Sequence, residues 1–342
     1  MRVTSKQIAE LAGVSRGTVD RALYDRGRVD QKTAERIKKI AKELGYQPNT
    51  AGRALALSRN PIKIGVIVQL CETPFMQEVL NGVESAKDEI ELLGGQVLLR
   101  KIVSINSGGV IEAMNELLEL GVNGIALVPS DDKRIRSKID EFVTEHQVGI
   151  VTLNSDAQDT KRLCFVGQDA IRSGRTAAGL MGEILGQKGA VSVITGHADN
   201  LSLKNRVIGF VEEINHSFPD IKVLPVEYAH DDHQRAKEIA AKQLQEYPQL
   251  DGFFYTSYGV GGVCDLLREK QLDQKIKVIS YDLTEEKIEN LKSGAINFLI
   301  GQGSYFQGYT PVSILFQKYF QGKDPEREFL YTDIEIKTKY NL

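Results

Sequence analysis

The feature that most constrains the fold is the segment IAELAGVSRGTVDRAL (residues 8–23), in which two short helical patterns flank one glycine. Just before it, Thr4 and Gln7 have the spacing of a capping box, which begins a helix. Gly13 suits the left-handed conformation that ends a helix, and Ser15 is a good N-cap for the next one. Two short helices joined by such a tight turn form a helix-turn-helix.

A third helix is predicted from Asp30, as its N-cap, to Leu44, with Gly45 ending it. Three helices of this length enclose a small core if each turns its apolar stripe inward. The residues expected to face that core are Ile8, Leu11, Ala12, Val14, Val19, Ala22, Leu23, Ala34, Ile37, Ile40, Ala41 and Leu44. The sequence therefore predicts a small all-α domain at this end of the chain.

Charge is distributed unevenly along the chain. Residues 1–60 contain 13 Lys and Arg against 6 Asp and Glu, a net charge of +7, although the whole chain has a net charge of −3. The remaining residues therefore carry a net charge of −10. Such asymmetry predicts a basic module for a polyanion, attached to an acidic body.

The second helix leaves Arg16, Gly17, Thr18, Asp20 and Arg21 on its outer face. A helix of this kind fits the DNA major groove, where its N-terminal residues reach base edges and arginine pairs with guanine. The alternative is an arbitrary amphipathic helical hairpin, which would show the same apolar spacing without binding DNA.

With VDQKTAERIKKIAKELGYQPNTAGRALALSR, the opening segment resembles the DNA-binding head of the LacI/GalR family of bacterial transcription regulators. The shared features are AGVS, TV-x-R-x-L, the ELGYQPN exit and R-x-L soon after it, over residues 3–59. The resemblance implies that residues 49–57 form a hinge helix on operator binding, with Leu55 from each of two subunits wedged into the minor groove. Such a short helix is unstable alone, so we expect it to be disordered off DNA. The implied DNA contacts are Thr4, Ser15, Arg16, Gly17, Thr18, Asp20, Arg21, Asn49, Arg53 and Leu55.

Asp20 departs from the family pattern, which usually has serine at this position. A carboxylate close to phosphates is unfavourable unless it accepts from a cytosine amino group or pairs with an arginine. Arg16 lies four residues earlier on the same helix, the spacing at which helical side chains meet. We therefore expect Asp20 to orient Arg16 rather than to read a base.

From Lys63 onward, short apolar strands alternate with amphipathic helices, which is typical of βαβ units and parallel sheets. The predicted strands are 64–69, 96–102, 124–129, 149–154, 190–196, 252–257, 277–282 and 297–302. So many strands suit two lobes better than one sheet, with residues 155–162 passing from one lobe to the other. The predicted fold is a helix-turn-helix domain (1–48), a hinge helix and linker (49–60), and a bilobate α/β domain (61–342) with two doubly wound, mainly parallel sheets.

Residues 62–337 resemble the periplasmic-binding-protein-like effector domain of the same family, in its ribose-binding-type branch. The resemblance implies a small ligand between the lobes, at the carboxyl ends of the strands, and hinge closure around it. Arg206 in NRVIGF and Asp282 ending KVISYD match the family's arginine and its hydroxyl-accepting aspartate. For each candidate contact, the alternative is a residue that caps a helix or lines a loop. The candidate effector contacts are Glu72, Phe75, Ser130, Asp131, Asn154, Asp156, Arg206, Ser257, Tyr258, Asp282 and Gln302.

Two departures from the family bear on the ligand. Thr256 and Ser257 stand where the family has an Asn-Asp pair, and Asn154 stands where sugar binders often have aspartate. A sugar or sugar derivative remains the first expectation. A sugar phosphate would need more cationic groups, and Lys204 near Arg206 is the obvious candidate.

No sequence signal predicts a metal, a cofactor or catalysis. GVGGVC (259–264) has the glycine spacing of a strand-to-helix turn rather than of a dinucleotide fingerprint. In HDDH (230–233), an aspartate is expected to cap a helix. Cys71, Cys164 and Cys264 match no metal spacing or disulfide framework, so we expect buried thiols.

The sequence predicts a ligand-responsive transcriptional repressor that binds a pseudo-palindromic operator as a homodimer, because two half-sites require two heads. No apolar run reaches the ~18 residues of a membrane span and no signal peptide is visible, so a cytoplasmic protein is expected, nucleoid-associated on DNA. Two alternatives stay open: a regulator whose effector is a partner protein, and an α/β enzyme fused to a DNA-binding head.

Overall fold

The structure is a computed structural model that describes residues 3–23, 29–46, 60–69, 73–103, 107–198 and 200–342. Three short helices come first. They are α1 (Ser5–Ala12), α2 (Arg16–Leu23) and α3 (Gln31–Glu43).

Each of these helices is capped as the sequence predicts. Thr4 and Gln7 form the reciprocal capping box of α1. Gly13 ends α1 with φ 63°, a conformation that glycine adopts without steric cost. The Ser15 hydroxyl accepts the amide N–H three residues ahead at 3.1 Å, and Asp30 caps α3 in the same way at 3.0 Å.

The core of the three-helix unit is built around Ile8 and Ile37, which are fully buried. Two residues predicted to face this core do not. Leu11 is 63% exposed, because the packed face of α1 is turned toward the buried Ala9 and away from Leu11. Leu44 is 37% exposed, because it is the C-cap of α3 and lies beyond the last packed turn.

The first of two sheets is fully parallel, in the order β12-β5-β4-β3-β1-β2. Helices cover both of its faces, which explains why its strands are continuous apolar runs. We call this sheet and its helices the first lobe. Its elements are β1 (Lys63–Gln69), α4 (Pro74–Leu92), β2 (Gln96–Ile102), α5 (Ser107–Glu119), β3 (Gly124–Leu127), α6 (Lys133–Thr144), β4 (Gly149–Leu153), β5 (Cys164–Gln168), α12 (Ser304–Gln321) and β12 (Phe329–Thr332).

The second sheet has the order β13-β11-β10-β9-β6-β7, and β8 also pairs with β6. Its pairs are parallel except for β11 with β13. We call this sheet and its helices the second lobe, and the two lobes confirm the predicted fold class. Its elements are α7 (Ala170–Ile184), β6 (Lys188–Thr195), α8 (Leu201–Ser217), β7 (Asp220–Val223), β8 (Glu227–Tyr228), α9 (His233–Glu246), β9 (Gly252–Tyr255), α10 (Val260–Glu269), β10 (Lys277–Tyr281), α11 (Glu285–Ser293), β11 (Phe298–Gly301) and β13 (Glu335–Lys337).

The eight predicted strands are present, but β5, β7, β8, β12 and β13 were not predicted. The prediction that residues 155–162 pass between the lobes is wrong, because β5 follows them and pairs with β4 in the same sheet. The chain instead passes between the lobes after Gln168, after Gly301, and between Thr332 and Glu335. Among the described helices, none is long and apolar enough to cross a membrane.

Candidate functional site

A cleft lies between the two lobes, where the carboxyl ends of their strands meet. Its enclosed space measures about 80 Å³, far below the roughly 300 Å³ at the lower end of small-molecule pockets. A sugar therefore enters only if the lobes part or side chains rotate. The lining residues are Gln69, Thr73, Phe75, Met76, Val128, Asn154, Asn200, Ser202, Leu203, Arg206, Asp231, Ser257, Tyr258, Asp282, Thr284 and Gln302.

Arg206 supplies a buried cation to this cleft. It is 2% exposed, and its guanidinium lies 4.0 Å from the centre of the Tyr281 ring. Nη1 donates to the Thr256 carbonyl oxygen at 2.8 Å, and Nη2 donates to Gln302 Oε1 at 2.6 Å. Nε is buried and has no hydrogen-bond partner among the described atoms. A buried guanidinium held by neutral oxygens, with one donor unused, is suited to bind a ligand oxygen.

The position of Arg206 depends on close contact between α7 and α8. A Cβ at Gly174 would lie 2.1 Å from the Arg206 carbonyl oxygen, and one at Gly209 would lie 2.1 Å from that of Ile171. Glycine at both positions allows the two helix backbones to touch. The arginine is therefore anchored by backbone packing as well as by its hydrogen bonds.

Asp282 presents a carboxylate at the end of β10. Its backbone has φ 70°, and its Oδ1 accepts from Gln302 Nε2 at 2.6 Å. Gln302 thus joins Arg206 to Asp282 through the two ends of one amide. The result is a fixed row of donor, amide and acceptor, which matches neighbouring hydroxyl groups.

Lys287 is a second buried cation, which the sequence analysis missed. Its side chain is 1% exposed, with Nζ 3.8 Å from Asp282 Oδ2. Nζ also donates to the carbonyl oxygens of Ser257 at 3.0 Å and Tyr281 at 2.7 Å, so it ties together the loops after β9 and β10. Burial lowers the pKa of Lys287. The available signal was its place four residues before the buried Leu291 on α11.

The first lobe contributes an aromatic and amide wall. Phe75 lies in the first turn of α4, whose N-cap is Thr73. Asn154 adopts φ 63°, and its Nδ2 donates to Gln307 Oε1 at 3.3 Å. Gln307 Nε2 in turn donates to the Gln302 carbonyl oxygen at 2.7 Å, which connects the first-lobe wall to the Arg206 row.

Three candidate contacts do not line the cleft. Asp156 is bound by Arg162 through two bonds of 2.5 and 2.7 Å, and the side chains are only 9% and 2% exposed. Asp131 pairs with Arg136 at 2.6 Å, and Ser130 is buried away from the cleft. These residues follow β3 and β4, but Asp156 is held within the first lobe, and Asp131 also lies 4.0 Å from Lys204 Nζ of the second lobe. Glu72 lies outside the described residues.

Several lining residues were missed because they also cap helices. Thr73, Asn200 and Thr284 are N-caps of α4, α8 and α11. A cap that follows a strand end also lies at the edge of the cleft, so capping does not exclude contact with a ligand. Asp231 was likewise interpreted as one of two possible helix caps in HDDH, whereas Asp232 is the cap and Asp231 belongs to a turn with positive φ.

No group of three or more His, Cys, Asp or Glu among the described residues is placed to hold a metal ion. Asp232 is the N-cap of α9, as predicted for HDDH, and Gly259 begins α10 in the predicted strand-to-helix turn. Cys164 and Cys264 are buried free thiols, and burial raises the pKa of each to about 12. Cys71 lies outside the described residues.

The proposed DNA-contacting face of α2 is open to solvent. Arg16, Gly17, Asp20 and Arg21 are exposed, and Thr18 is half-buried. Arg21 Nη2 donates to Thr18 Oγ1 at 3.3 Å. The predicted pairing of Asp20 with Arg16 is absent among the hydrogen bonds and ion pairs of the described residues, since that face is fully hydrated. Asn49, Arg53 and Leu55 lie outside those residues.

Comparison with known proteins agrees with both parts. The model for bacterial regulatory proteins of the lacI family matches residues 4–49, and that for a periplasmic binding protein domain matches residues 64–324. The transcriptional regulator MalR of Streptococcus pneumoniae is 24% identical over 84% of this chain and 86% of its own. The sucrose operon repressor of Staphylococcus xylosus is 26% identical over 71% of each chain.

The bilobate part is similar to a solved carbohydrate transporter solute-binding protein from Agrobacterium radiobacter in complex with D-arabinose. The TM-score is 0.74 at 26% identity, over 82% of this chain and 96% of that one. A helix-turn-helix head joined to such a fold defines a transcription regulator with a ligand-binding body. Residues 4–49 are a DNA-binding domain of the lacI family of bacterial regulatory proteins, and the body of the chain belongs to the periplasmic binding protein domain family.

Proposed function

We propose that this regulator is a repressor that binds a pseudo-palindromic operator as a homodimer. Binding of a sugar or sugar derivative in the cleft raises or lowers its affinity for the operator. In this proposal, residues 1–48 bind DNA, residues 49–60 form the hinge, and residues 61–342 bind the effector and dimerise. Because the proposed function requires contact with chromosomal DNA, the protein would act in the cytoplasm, associated with the nucleoid when it is bound to DNA.

The observation that carries the effector proposal is the row formed by Arg206, Gln302 and Asp282. It offers a buried cationic donor and a carboxylate acceptor at fixed spacing. Sugars present neighbouring hydroxyls that donate and accept, so this row satisfies them in pairs. Phe75 supplies an apolar surface on the opposite wall, which suits the C–H face of a pyranose.

The lobe geometry supports control of DNA binding. The chain passes three times between the lobes, so a ligand between them can change the angle at which they meet. Because the first lobe begins directly after the hinge segment, such a change also alters the position of that segment. Two heads on one operator need a fixed separation, and allosteric coupling of about 1–3 kcal/mol is sufficient to change occupancy. A polar, partly enclosed cleft favours a small molecule over a partner protein as the effector.

The test has two stages. A thermal-shift screen of pentoses, hexoses, disaccharides, sugar acids and sugar phosphates identifies ligands, and each hit is retested for its effect on binding to operator DNA selected from random duplexes. We expect at least one hit to change operator affinity about fivefold or more. A truncated body, residues 61–342, serves as the control, since it should bind the sugar and not the DNA. Hits that bind without changing operator affinity contradict the proposed coupling.

A further inference from the structure

We propose that Asp231, held in a strained turn beside Gly196, is a dedicated acceptor for a hydroxyl group of the effector. This inference rests on the proposed function and adds a contact on the β6 side of the cleft, away from the row of Arg206, Gln302 and Asp282. The ligand then directs one hydroxyl group, as a hydrogen-bond donor, at the second lobe.

The turn that carries Asp231 connects β8 to α9. The Asp232 amide donates to the Ala229 carbonyl oxygen at 3.1 Å, and the two central residues, His230 and Asp231, have φ of 52° and 58°. Two positive φ values in succession are those of a type I′ turn, which glycine and asparagine favour. Neither central residue is glycine, so the turn retains strain that a different sequence would remove.

Asp231 lines the cleft, and one oxygen of its carboxylate is unsatisfied. Its Oδ1 is buried and has no hydrogen-bond partner among the described atoms, and the same is true of Ser257 Oγ. A Cβ at Gly196 would lie 2.5 Å from Asp231 Oδ1 and 3.0 Å from Ser257 Oγ. The two oxygens therefore converge on the space that the missing side chain of Gly196 leaves open.

The other carboxylate oxygen faces a pair of histidines that do not line the cleft. Asp231 Oδ2 lies 3.8 Å from His197 Nε2, and His197 Nδ1 is 3.4 Å from His230 Nδ1. This arrangement leaves Oδ1 for the ligand. A carboxylate accepts and never donates, so its partner is a donor, and Ser257 can donate or accept beside it.

Strain at this turn and an unpartnered oxygen in the cleft have one common explanation. A glycine at position 231 would relieve the backbone but would remove the acceptor. Aspartate is kept at a conformational cost because it binds the ligand. The same substitution should therefore improve folding and weaken binding.

The experiment compares Asp231→Gly with the matched control Asp159→Gly, an exposed residue with φ 60° that does not line the cleft. The unfolding midpoint in denaturant is measured for both, together with the affinity for the sugar that binds best among D-arabinose, D-galactose, D-glucose, sucrose and maltose. Both variants should be at least as stable as the wild type. Asp231→Gly should weaken sugar binding about tenfold or more, the effect of losing a charged hydrogen bond, and Asp159→Gly should leave it unchanged.

Two further measurements separate the contact from a general disturbance. Gly196→Ala fills the space between the two oxygens and should weaken the same sugar with the unfolding midpoint nearly unchanged. Deoxy derivatives of that sugar locate the hydroxyl: one of them should bind wild type and Asp231→Gly with equal affinity. Asp231→Gly that binds the sugar as wild type does, or that is less stable while Asp159→Gly is not, overturns the inference. Failure of the wild type to bind any of these sugars or any sugar derivative in the thermal-shift screen overturns the proposed sugar effector and the inference together.

Discussion

Gln168 Nε2 donates a hydrogen bond to the main-chain oxygen of Gly301, 3.0 Å away. The same nitrogen donates to the main-chain oxygen of Asp333 at 3.1 Å. These three residues belong to the three places where the chain passes between the lobes. One buried amide therefore links all three connections.

Gln168→Ala should weaken the link between these three connections. It removes two hydrogen bonds and leaves two carbonyl oxygens to find water, so the free energy of unfolding should fall by about 1–3 kcal/mol. Sugar affinity should change as well, because the lobe angle is no longer held. Gln243→Ala is the control: Gln243 is equally buried but bonds to Ser192 within the second lobe. If both variants change sugar affinity alike, Gln168 has no special role in the hinge.

Lys287 should give the protein a specific pH dependence. Burial lowers its pKa below the usual 10.5, so between the folded and the unfolded pKa the unfolded chain binds the extra proton. Stability due to this group therefore rises with pH in that window and is constant below it. The difference in free energy of unfolding, wild type minus Lys287→Met, should increase as pH is raised toward 10.5. A pH-independent difference would show that folding does not lower the pKa of Lys287.

Arg21→Ala should affect specific DNA binding more than non-specific binding. A bidentate contact from arginine to guanine contributes about 1–3 kcal/mol of discrimination. Lys32→Ala is the control, because Lys32 is exposed at the start of α3. Loss of a phosphate contact should weaken both kinds of binding alike and reduce the salt dependence. Affinities for the selected operator and for a scrambled duplex, measured over a range of salt, decide between them. An equal loss on both duplexes for Arg21→Ala contradicts base reading.

Asp156→Ala should destabilise the first lobe and leave sugar affinity unchanged. Removing one partner of a buried pair costs up to about 3–5 kcal/mol, because Arg162 would remain charged with only the exposed Glu328 carboxylate as its partner. Asp156→Ala with Arg162→Met should recover much of that loss. Denaturant unfolding and sugar titration of the folded protein measure the two effects. A folded variant with weakened sugar binding would restore Asp156 as an effector contact.

Much of the candidate site follows from strand ends. Asp282 and Gln302 were predicted because they end buried strands that resemble those of the family, and the carboxyl ends of parallel strands meet at one edge. Arg206 was predicted because its helix motif resembles that of the family. Asp156 was also predicted from a strand end and lies elsewhere. Its place depends on Arg162, six residues later, whose ion pair turns the loop onto the first lobe.

By itself, the sequence determined the caps of the three short helices, the helix-turn-helix, the α/β class of the body and eight of the strands in the two sheets. These properties arise from interactions between residues a few positions apart. Only the tertiary structure decided that β5 stays in the first sheet, that Gln168 joins three connections, that Lys287 is buried behind Asp282, and that Asp231 lines the cleft. Those facts depend on contacts between residues thirty or more positions apart, and no local periodicity records such contacts.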